Sequence, residues 1–312
     1  MTQNISEKTV AILLCTFNGS RFLNEQLESI KQQTHKQWKI YISDDGSSDE
    51  TLDILMRFKE NTLPGQVQIF HGPRKGFGKN FMSLIYNPNV SGDYYAFSDQ
   101  DDIWHADKLE RSLAALKNSP KDTPALYCTR THLINTTGES IGLSPLFRKA
   151  PSFQNAIVQS IAGANTMIIN DPARELLRTA EENNQVVAHD WLAYIIISGC
   201  NGHVIYDPLP SIDYRQHEAN LIGANSGIID KLKRLGKMTS GRFRAWNDSN
   251  LANIEKIIPM LSHENRDTLL YFVKARNSSF PKRMFYFKKS KIYRQTLAGN
   301  ASLIAAIMLN KI

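Results

Sequence analysis

The chain of 312 residues is poor in cysteine and has no long apolar run. Its three cysteines, Cys15, Cys128 and Cys200, are odd in number and far apart, and each lies within or beside an apolar segment. This pattern argues against a disulfide framework or a zinc site and favours a reducing compartment. The longest apolar run near the C-terminus, residues 302–309, is far shorter than the ~20 residues that cross a bilayer.

Targeting signals and repeats are also lacking. The first nine residues are polar, so we expect no signal peptide. No internal repeat or low-complexity tract is evident, and a composition that is 42% apolar and 21% charged excludes a disordered or fibrous chain. We therefore expect a cytoplasmic protein that is either soluble or bound at the surface of a membrane.

Positive charge is concentrated at the C-terminal end of the chain. Residues 226–312 hold 17 Lys and Arg against 5 Asp and Glu, whereas residues 1–225 hold 20 against 25. The strand pattern also stops near Ser226, and the remainder of the chain has a helical, basic and aromatic pattern with no Gly/Ser linker before it. We predict a body at residues 1–225 and a packed, basic helical region at residues 226–312, with different tasks.

Short apolar runs and amphipathic stretches alternate through the first hundred residues. The run Val10–Leu14 is apolar on both faces, as in a strand buried inside a parallel sheet. Further strands are predicted at 38–42, 67–70 and 94–97, with helices at 20–30, 49–59 and 77–86. Strands and helices in this order indicate βαβ units, so the predicted fold class is α/β, with a mostly parallel, Rossmann-like sheet flanked by helices.

Polar loops follow three of these strands, at the edge where open α/β sheets bind ligands. The loop at 43–49 has the composition of an ordinary turn with a helix N-cap, and that interpretation stays open. The loop at 98–102 places Asp99, Asp101 and Asp102 directly after an apolar strand, where three carboxylates repel one another unless a cation is bound. Ligands of this kind suit Mg²⁺ or Mn²⁺, which also accept water and phosphate oxygens.

Four motifs, in order, resemble those of the inverting glycosyltransferases of family 2, which have the GT-A fold. They are Thr16-Phe17-Asn18-Gly19, Asp44-Asp45-Gly46-Ser47, Gly76-Phe77-Gly78-Lys79-Asn80 and the Asp-x-Asp motif Asp99-Gln100-Asp101. The stretch 98–104, with Tyr214-Arg215-Gln216-His217 and Asn220 later, is most similar to bacterial rhamnosyltransferase-type members that build surface polysaccharides. The resemblance covers roughly residues 8–225, and the Gln-x-x-Arg-Trp motif of processive members is absent.

The resemblance implies that these motifs bind a nucleoside-diphosphate sugar. The implied nucleotide- and sugar-binding residues are Thr16, Phe17, Asn18, Asp44, Asp45, Lys79, Asn80, Asp99, Gln100 and Arg215. Among them, an aspartate of the second motif would accept the N3–H of uracil or thymine, and Arg215 would face the diphosphate. Asp101 would hold the metal, helped by Asp99, and His217 would bind the metal or a phosphate unless it is an ordinary surface histidine.

The family also places an aspartate at the start of a helix, under the acceptor, to remove the proton of the attacking hydroxyl. His189-Asp190-Trp191 stands in the corresponding place, so Asp190 is the predicted catalytic base. The alternative is that Asp190 only caps the apolar helix that begins there. Trp191 would either offer a flat face to the acceptor sugar or fill the core.

Basic and aromatic residues alternate in the C-terminal region, most clearly at Phe280–Lys289. Such segments bind anionic lipid or nucleic acid, and nothing upstream resembles a nucleic-acid module. An anionic membrane surface is therefore the predicted partner, with a solvated basic face as the alternative. A second basic cluster comprises Lys231, Lys233, Arg234, Lys237, Arg242 and Arg244.

The predicted function is a metal-dependent, non-processive inverting transfer of a sugar at the inner face of the cell membrane. The preferred donor is dTDP-rhamnose, and the acceptor is a polyprenyl-diphosphate-linked glycan or a saccharide. A UDP-hexose donor, a nucleotidyltransferase and an inactive nucleotide-sugar-binding scaffold are the alternatives. The loop at 16–20 is poor in the glycines and basic residues that nucleotidyltransferases carry there, and the presence of Asp99, Asp101 and Asp190 disfavours a scaffold.

Overall fold

A seven-stranded sheet lies at the centre of the protein, and the computed structural model describes residues 5–120, 122–180, 185–217 and 242–312. The strands are β1 (Val10–Thr16), β2 (Trp38–Asp44), β3 (Val67–His71), β4 (Tyr94–Ser98), β5 (Ile103–Trp104), β6 (Ala125–Thr129), β7 (His132–Ile134), β8 (Ser140–Leu143), β9 (Ile168–Asn170), β10 (His203–Asp207) and β11 (Ile212–Arg215). The helices are α1 (Leu23–Lys31), α2 (Thr51–Glu60), α3 (Phe77–Tyr86), α4 (Lys108–Leu116), α5 (Phe153–Ala156), α6 (Asp171–Leu177), α7 (His189–Gly199), α8 (Arg242–Asn253), α9 (His263–Arg276), α10 (Phe280–Ser290) and α11 (Leu297–Met308).

The central sheet is mostly parallel, as the sequence predicts. Its strand order is β10-β6-β9-β4-β1-β2-β3, and β1 pairs in parallel with both β2 and β4. The exception is β9, which runs antiparallel between β4 and β6. A second sheet of four short strands, in the order β5-β11-β7-β8, was not predicted. Strand β11 of this second sheet ends at Arg215, and the Arg215 side chain contacts the loop that follows β4.

Alternate residues of β1 face opposite sides of the sheet, and each side carries its own core. Leu13 belongs to the core that includes the apolar helix α7. Ile12 and Leu14 belong to the other, which includes residues of α1 and α4. The sheet therefore lies between two packed layers of helices, which fix the positions of its strand ends.

The described C-terminal helices pack on the same side of the sheet as α7. Phe243, Phe272 and Ile307 share one apolar cluster with Ile196 of α7. The prediction of a helical C-terminal region that packs on the α/β body is thus confirmed for residues 242–312. The predicted boundary between residues 225 and 226 lies outside the described residues, as do Asn220, Lys231, Lys233, Arg234 and Lys237.

The described helices differ from membrane-spanning helices in length or in apolar character. None of the helices in the described part of the chain combines the length and the apolar character that crossing a membrane requires.

Candidate active site

The carboxyl ends of β1 and β2 form the floor of the site. Their register pairs Thr16 with Asp44, and the Thr16 hydroxyl donates to Asp44 Oδ2 at 2.8 Å. The buried Asp44 carboxylate also accepts from the N–H of Gly46 and from the N–H and hydroxyl of Ser47. With four donors on one carboxylate, Asp44 fixes the shape of the loop after β2.

Asp45 and Asn18 tie neighbouring loops to this floor. Asp45 accepts the N–H of Arg74 at 2.6 Å and that of Gly76 at 2.8 Å, so it anchors the loop before α3. Asn18, which has a positive φ of 48°, accepts the N–H of Ser48 through its side-chain oxygen. The loops after β1, after β2 and before α3 are therefore interlocked.

Gln100 connects the loop after β4 to the loop after β1. Its side-chain oxygen accepts the N–H of Phe17 at 2.9 Å, and its amide nitrogen donates to the Phe17 carbonyl at 3.1 Å. Gly19 leaves the room for this contact, since a Cβ there would lie 2.3 Å from Gln100 Oε1. The Phe17 ring remains 56% exposed at the edge of the site.

The motif at 76–80 forms the start of α3. The side chain of Asn80 is buried and pairs with β2, because its oxygen accepts from the Ser43 hydroxyl at 2.6 Å and its nitrogen donates to the Ser43 carbonyl at 2.8 Å. Lys79 lies half-buried in the first turn of the same helix. Asn80 therefore fixes the start of α3 against the sheet, and Lys79 lies next to it in the same turn.

Three carboxylates crowd the loop after β4. Burial, with the negative charges of Asp101 and Asp190, raises the pKa of Asp99 to about 7. Burial and the charges of Asp101 and Asp99 also raise the pKa of Asp102, whose carboxylate accepts from the Asn165 amide at 2.7 Å. The start of α7 lies beside the strand that leads into this loop, because the ring centroids of His189 in α7 and Phe97 in β4 are 5.4 Å apart.

Arg215 holds the same loop from inside the protein. Its side chain is only 1% exposed, and it donates to the Asp101 carbonyl and, at 2.7 Å, to the carboxylate of Glu25. Its remaining terminal nitrogen donates to the carbonyls at 135 and 136. The guanidinium thus donates to several protein oxygens, and its hydrogen bond to the Asp101 carbonyl holds the Asp-x-Asp loop. That Arg215 also faces a diphosphate stays a prediction.

Lys108 is a charged partner of this loop that sequence reasoning missed. The side chain is fully buried, donates to the Asn165 carbonyl at 2.8 Å and lies over the Trp104 ring. Burial lowers its pKa to about 7, against the opposing effect of Asp102. The sequence pattern that could have identified Lys108 as buried is its helical spacing on α4. It lies four and eight residues before Ser112 and Leu116, which are on the same buried face.

Asp101, the residue that the sequence predicts to hold a divalent ion, lies beside His217. His217 Nε2 lies 2.7 Å from Asp101 Oδ2, and both side chains are largely buried. Within residues 5–120, 122–180, 185–217 and 242–312, no three His, Cys, Asp or Glu are grouped so as to hold a metal by themselves. Clustered carboxylates with few protein ligands fit Mg²⁺ or Mn²⁺, because these ions take their remaining ligands from water and phosphate.

Asp190 lies in the first turn of α7 but does not cap it. The N-cap residue is Ala188, so the interpretation of Asp190 as a helix cap is wrong. Its carboxylate accepts the N–H of Trp191 at 2.7 Å and is 3.5 Å from the Ser160 hydroxyl. Burial raises the pKa of Asp190 to about 6, although these hydrogen bonds oppose the shift.

The two neighbours of Asp190 are packed into the protein. His189 is buried and stacks on Phe81, with ring centroids 3.9 Å apart, and burial lowers its pKa to about 3. Trp191 is 6% exposed, donates to the Ala156 carbonyl and stacks on Phe243 of α8. Of the two interpretations of Trp191, core packing fits the structure, because a ring covered in this way offers no face to an acceptor.

This architecture, with polar loops at the strand ends of a mostly parallel sheet, is that of the GT-A glycosyltransferases. S. aureus TarS, solved in complex with UDP-GlcNAc, matches with a TM-score of 0.53 and 15% identity, over 91% of this chain and 90% of that one. The mannosyltransferase PcManGT from Pyrobaculum calidifontis, solved with GDP-Man and Mn²⁺, matches with a TM-score of 0.52 and 14% identity, over 96% and 86% of the two chains. The predicted GT-A fold is thus confirmed.

Sequence comparison defines the family. The model of glycosyl transferase family 2 matches residues 11–177. The dTDP-rhamnosyl transferase RfbG of Shigella flexneri is 31% identical over 240 residues, which cover 74% of this chain and 81% of that protein. The chain belongs to glycosyl transferase family 2. It is a glycosyltransferase that resembles bacterial rhamnosyltransferases, which confirms the predicted family, subgroup and enzyme class.

Proposed function

We propose that this protein is an inverting, metal-dependent, non-processive transferase that moves L-rhamnose from dTDP-rhamnose to a lipid-linked or oligosaccharide acceptor. The observation that carries the mechanism is the half-buried carboxylate of Asp190 at the start of α7. The preceding His189 packs on Phe97 of β4, the strand that leads into the Asp-x-Asp loop. A base and a diphosphate-binding loop then share one site. The similarity to the dTDP-rhamnosyl transferase of Shigella flexneri supports the donor.

The chemistry requires one proton acceptor on the acceptor side. In an inverting transfer the acceptor hydroxyl attacks C1 of the sugar from the face opposite the diphosphate, the C1–O bond to the diphosphate breaks, and the hydroxyl loses its proton. Asp190 would receive that proton, and its pKa of about 6 leaves it ionised at neutral pH yet more basic than an exposed aspartate. The Trp191 N–H holds the carboxylate in position.

The nucleotide would lie along the carboxyl edge of β1 and β2, against the exposed ring of Phe17. Asp45 is a better acceptor for the N3–H of the base than Asp44. Each Asp45 oxygen accepts one backbone N–H and keeps a second lone pair, whereas Asp44 already serves four donors. Thr16, Asn18, Asn80 and Gln100 would act by shaping this edge, and Lys79 would lie near the sugar diphosphate.

The metal would be held by Asp101, and Asp99 and His217 would be further ligands. A bound Mn²⁺ or Mg²⁺ would neutralise the charge that develops on the departing diphosphate. Arg215 would keep the Asp101 backbone in place through its hydrogen bond to the Asp101 carbonyl.

We further propose that the acceptor is carried by a polyprenyl diphosphate and that the enzyme works as a peripheral protein on the inner face of the cell membrane. Residues 226–312 hold 17 basic and only 5 acidic residues, and this positive charge supports attraction to anionic lipid. This placement lets the site reach a lipid-linked glycan from one side of the bilayer.

Gly19→Ala is expected to weaken donor binding through Gln100. The added methyl group displaces the Gln100 amide and breaks its two hydrogen bonds to Phe17, each worth about 0.5–1.5 kcal/mol. Calorimetric titration with the donor should give the same loss for Gly19→Ala, Gln100→Ala and the double variant. Additive losses would mean that Gly19 acts independently of Gln100.

A donor panel tests the proposed function. We expect dTDP-rhamnose, in the presence of Mn²⁺, to raise the melting temperature more than UDP-glucose, UDP-GlcNAc or GDP-mannose, because a ligand that binds only the native state stabilises it. NMR of the products should then show rhamnose and dTDP, with inversion at C1 when an acceptor is present. A larger shift with a UDP-hexose would reassign the donor. Formation of dTTP and rhamnose 1-phosphate on addition of pyrophosphate would indicate a nucleotidyltransferase, and binding without turnover would indicate a scaffold.

A further inference from the structure

The outward side of α11 is apolar along its whole length. Its exposed positions are Leu297, Ala298, Ala301, Ile304, Ala305 and Met308. Leu297 is 90% exposed, Met308 48% and Ile304 40%. A helix on the surface of a globular protein normally presents charged or polar side chains to water, so an apolar outer face indicates a partner.

The opposite side of α11 fixes the helix firmly to the protein. Leu303, Ala306 and Ile307 are buried in the core that contains α7. Arg283 of α10 is also buried, and its guanidinium donates to the carbonyls of Ile307 and Met308. The apolar outer face is therefore held in a defined orientation.

The neighbouring helix α10 also exposes aromatic and cationic side chains. Phe280 is 52% and Phe285 56% exposed, and the ammonium group of Lys289 lies 5.8 Å from the centre of the Phe285 ring. Lys282 and Lys288 are exposed on the same helix. Aromatic rings with lysines beside them are typical of helices that lie in the interface of a lipid bilayer.

The charge of this part of the chain has one sign. Residues 268–312 contain nine Lys and Arg and no Asp or Glu. Arg276 and Arg283 are buried, and the exposed ones include Lys274, Lys282, Lys288, Lys289 and Lys291. These exposed lysines attract anionic head groups and repel the same surface on a second copy of the chain. Charge complementarity therefore favours lipid over self-association as the occupant of the apolar face.

We propose that α10 and α11 form a bilayer-docking surface, in which the apolar side of α11 inserts between anionic lipids and the α10 lysines contact their head groups. The inference rests on the proposed lipid-linked acceptor and specifies how the enzyme reaches it. With only 12 residues, α11 lies in the plane of the interface. Docking then has a salt-resistant apolar part as well as a salt-sensitive electrostatic part.

Sedimentation with vesicles separates the two parts, using the full-length protein. One variant combines Leu297→Gln, Ile304→Gln and Met308→Gln, and a second combines Lys282→Gln, Lys288→Gln and Lys289→Gln. The matched control places glutamine at three exposed apolar positions of the α/β body: Met56, Leu63 and Leu209. The vesicles contain phosphatidylcholine alone or phosphatidylcholine mixed with phosphatidylglycerol, at low and high salt.

We expect the wild type and the matched control to bind the phosphatidylglycerol vesicles, with part of the binding persisting at high salt. Since burying one Leu-sized side chain is worth roughly a factor of ten, the α11 variant should lose at least about tenfold in affinity at both salt levels. The lysine variant should lose the preference for phosphatidylglycerol. Unchanged binding by the α11 variant with a wild-type melting temperature would overturn the proposal.

Two further results would assign the face to another occupant and overturn the proposal. One is a wild-type dimer in sedimentation velocity that the α11 variant converts to a monomer, without any effect on vesicle binding. The other is tighter binding to polyglutamate than to anionic vesicles, which would indicate an acidic protein partner.

The α11 variant should transfer sugar to a water-soluble acceptor at the wild-type rate. A wild type that turns over no donor would refute the proposed function and leave the vesicle result intact.

Discussion

Asp190→Asn is expected to lower the transfer rate by roughly 10²–10⁴-fold, the range typical of a lost general base. Asparagine keeps the size of the side chain and can still accept the N–H of Trp191, which the carboxylate accepts at 2.7 Å. It cannot take a proton from the acceptor hydroxyl. Donor affinity should stay near wild type, because the proposed nucleotide site is formed by the loops after β1, β2 and β4.

The stability of this variant gives an independent check. A carboxyl group whose folded-state pKa is raised from 3.8 to about 6 costs the folded state stability once the pH rises above that range. Asparagine has no charge to bury. We therefore expect Asp190→Asn to melt at the same or a higher temperature than the wild type at pH 7–8, so that a lost rate cannot be attributed to unfolding.

The wild-type rate should itself depend on pH in a defined direction. Since the proposed base Asp190 could accept a proton only when ionised, kcat/KM should fall as the pH drops through about 6, at saturating Mn²⁺. Asp171→Asn is a matched control, because Asp171 is also a first-turn carboxylate of a helix. A variant at position 190 with normal turnover would mean that the base lies elsewhere.

Asp101→Asn should abolish the Mn²⁺-dependent part of donor binding and reduce transfer by at least about 10²–10³-fold, as when charge stabilisation of a leaving group is lost. The substitution removes one negative charge and keeps an oxygen that can face His217, which now lies 2.7 Å away. Calorimetric titration of the donor with and without Mn²⁺ measures the metal-dependent part directly.

Two variants make the result at Asp101 specific. Asp107→Asn removes an exposed carboxylate six positions further along, whose Oδ2 lies 3.6 Å from Arg111, and should leave Mn²⁺ dependence unchanged. His217→Gln should weaken Mn²⁺ dependence if the imidazole is a ligand and leave it intact if the ring only pairs with Asp101. Retained Mn²⁺-dependent binding in a folded Asp101→Asn protein would refute the metal assignment.

The parts of the molecule that sequence reasoning predicted well are governed by local pattern. Helix α3 begins and ends where the sequence predicts, at residues 77 and 86, and the predicted apolar helix that carries Asp190 is α7. The three polar loops follow the predicted strands. The helix predicted at 20–30 begins later, at Leu23, with no side-chain cap. The N–H of Ser20 donates to Asp49, which is distant in sequence.

The parts that sequence reasoning missed depend on distant partners. The second sheet consists of strands of two to four residues, which carry too little periodicity to be recognised. Lys108 becomes part of the site only through the Asn165 carbonyl, 57 residues away. The covered position of Trp191 likewise depends on Phe243 of a helix that comes much later in the chain.

The contacts of Arg215 also determine when the donor site can form during synthesis. They join β11 to Glu25, 190 residues earlier, and to the Asp101 carbonyl, 114 residues earlier. Contacts so far apart in sequence form late in folding, because the entropy of closing long loops must be overcome first. A nascent chain that ends before β11 would contain β1, β2 and β4 but lack the guanidinium that holds the Asp-x-Asp loop. We therefore expect nucleotide sugars to bind chains whose α/β body is complete, and to contribute nothing to the earlier steps of folding.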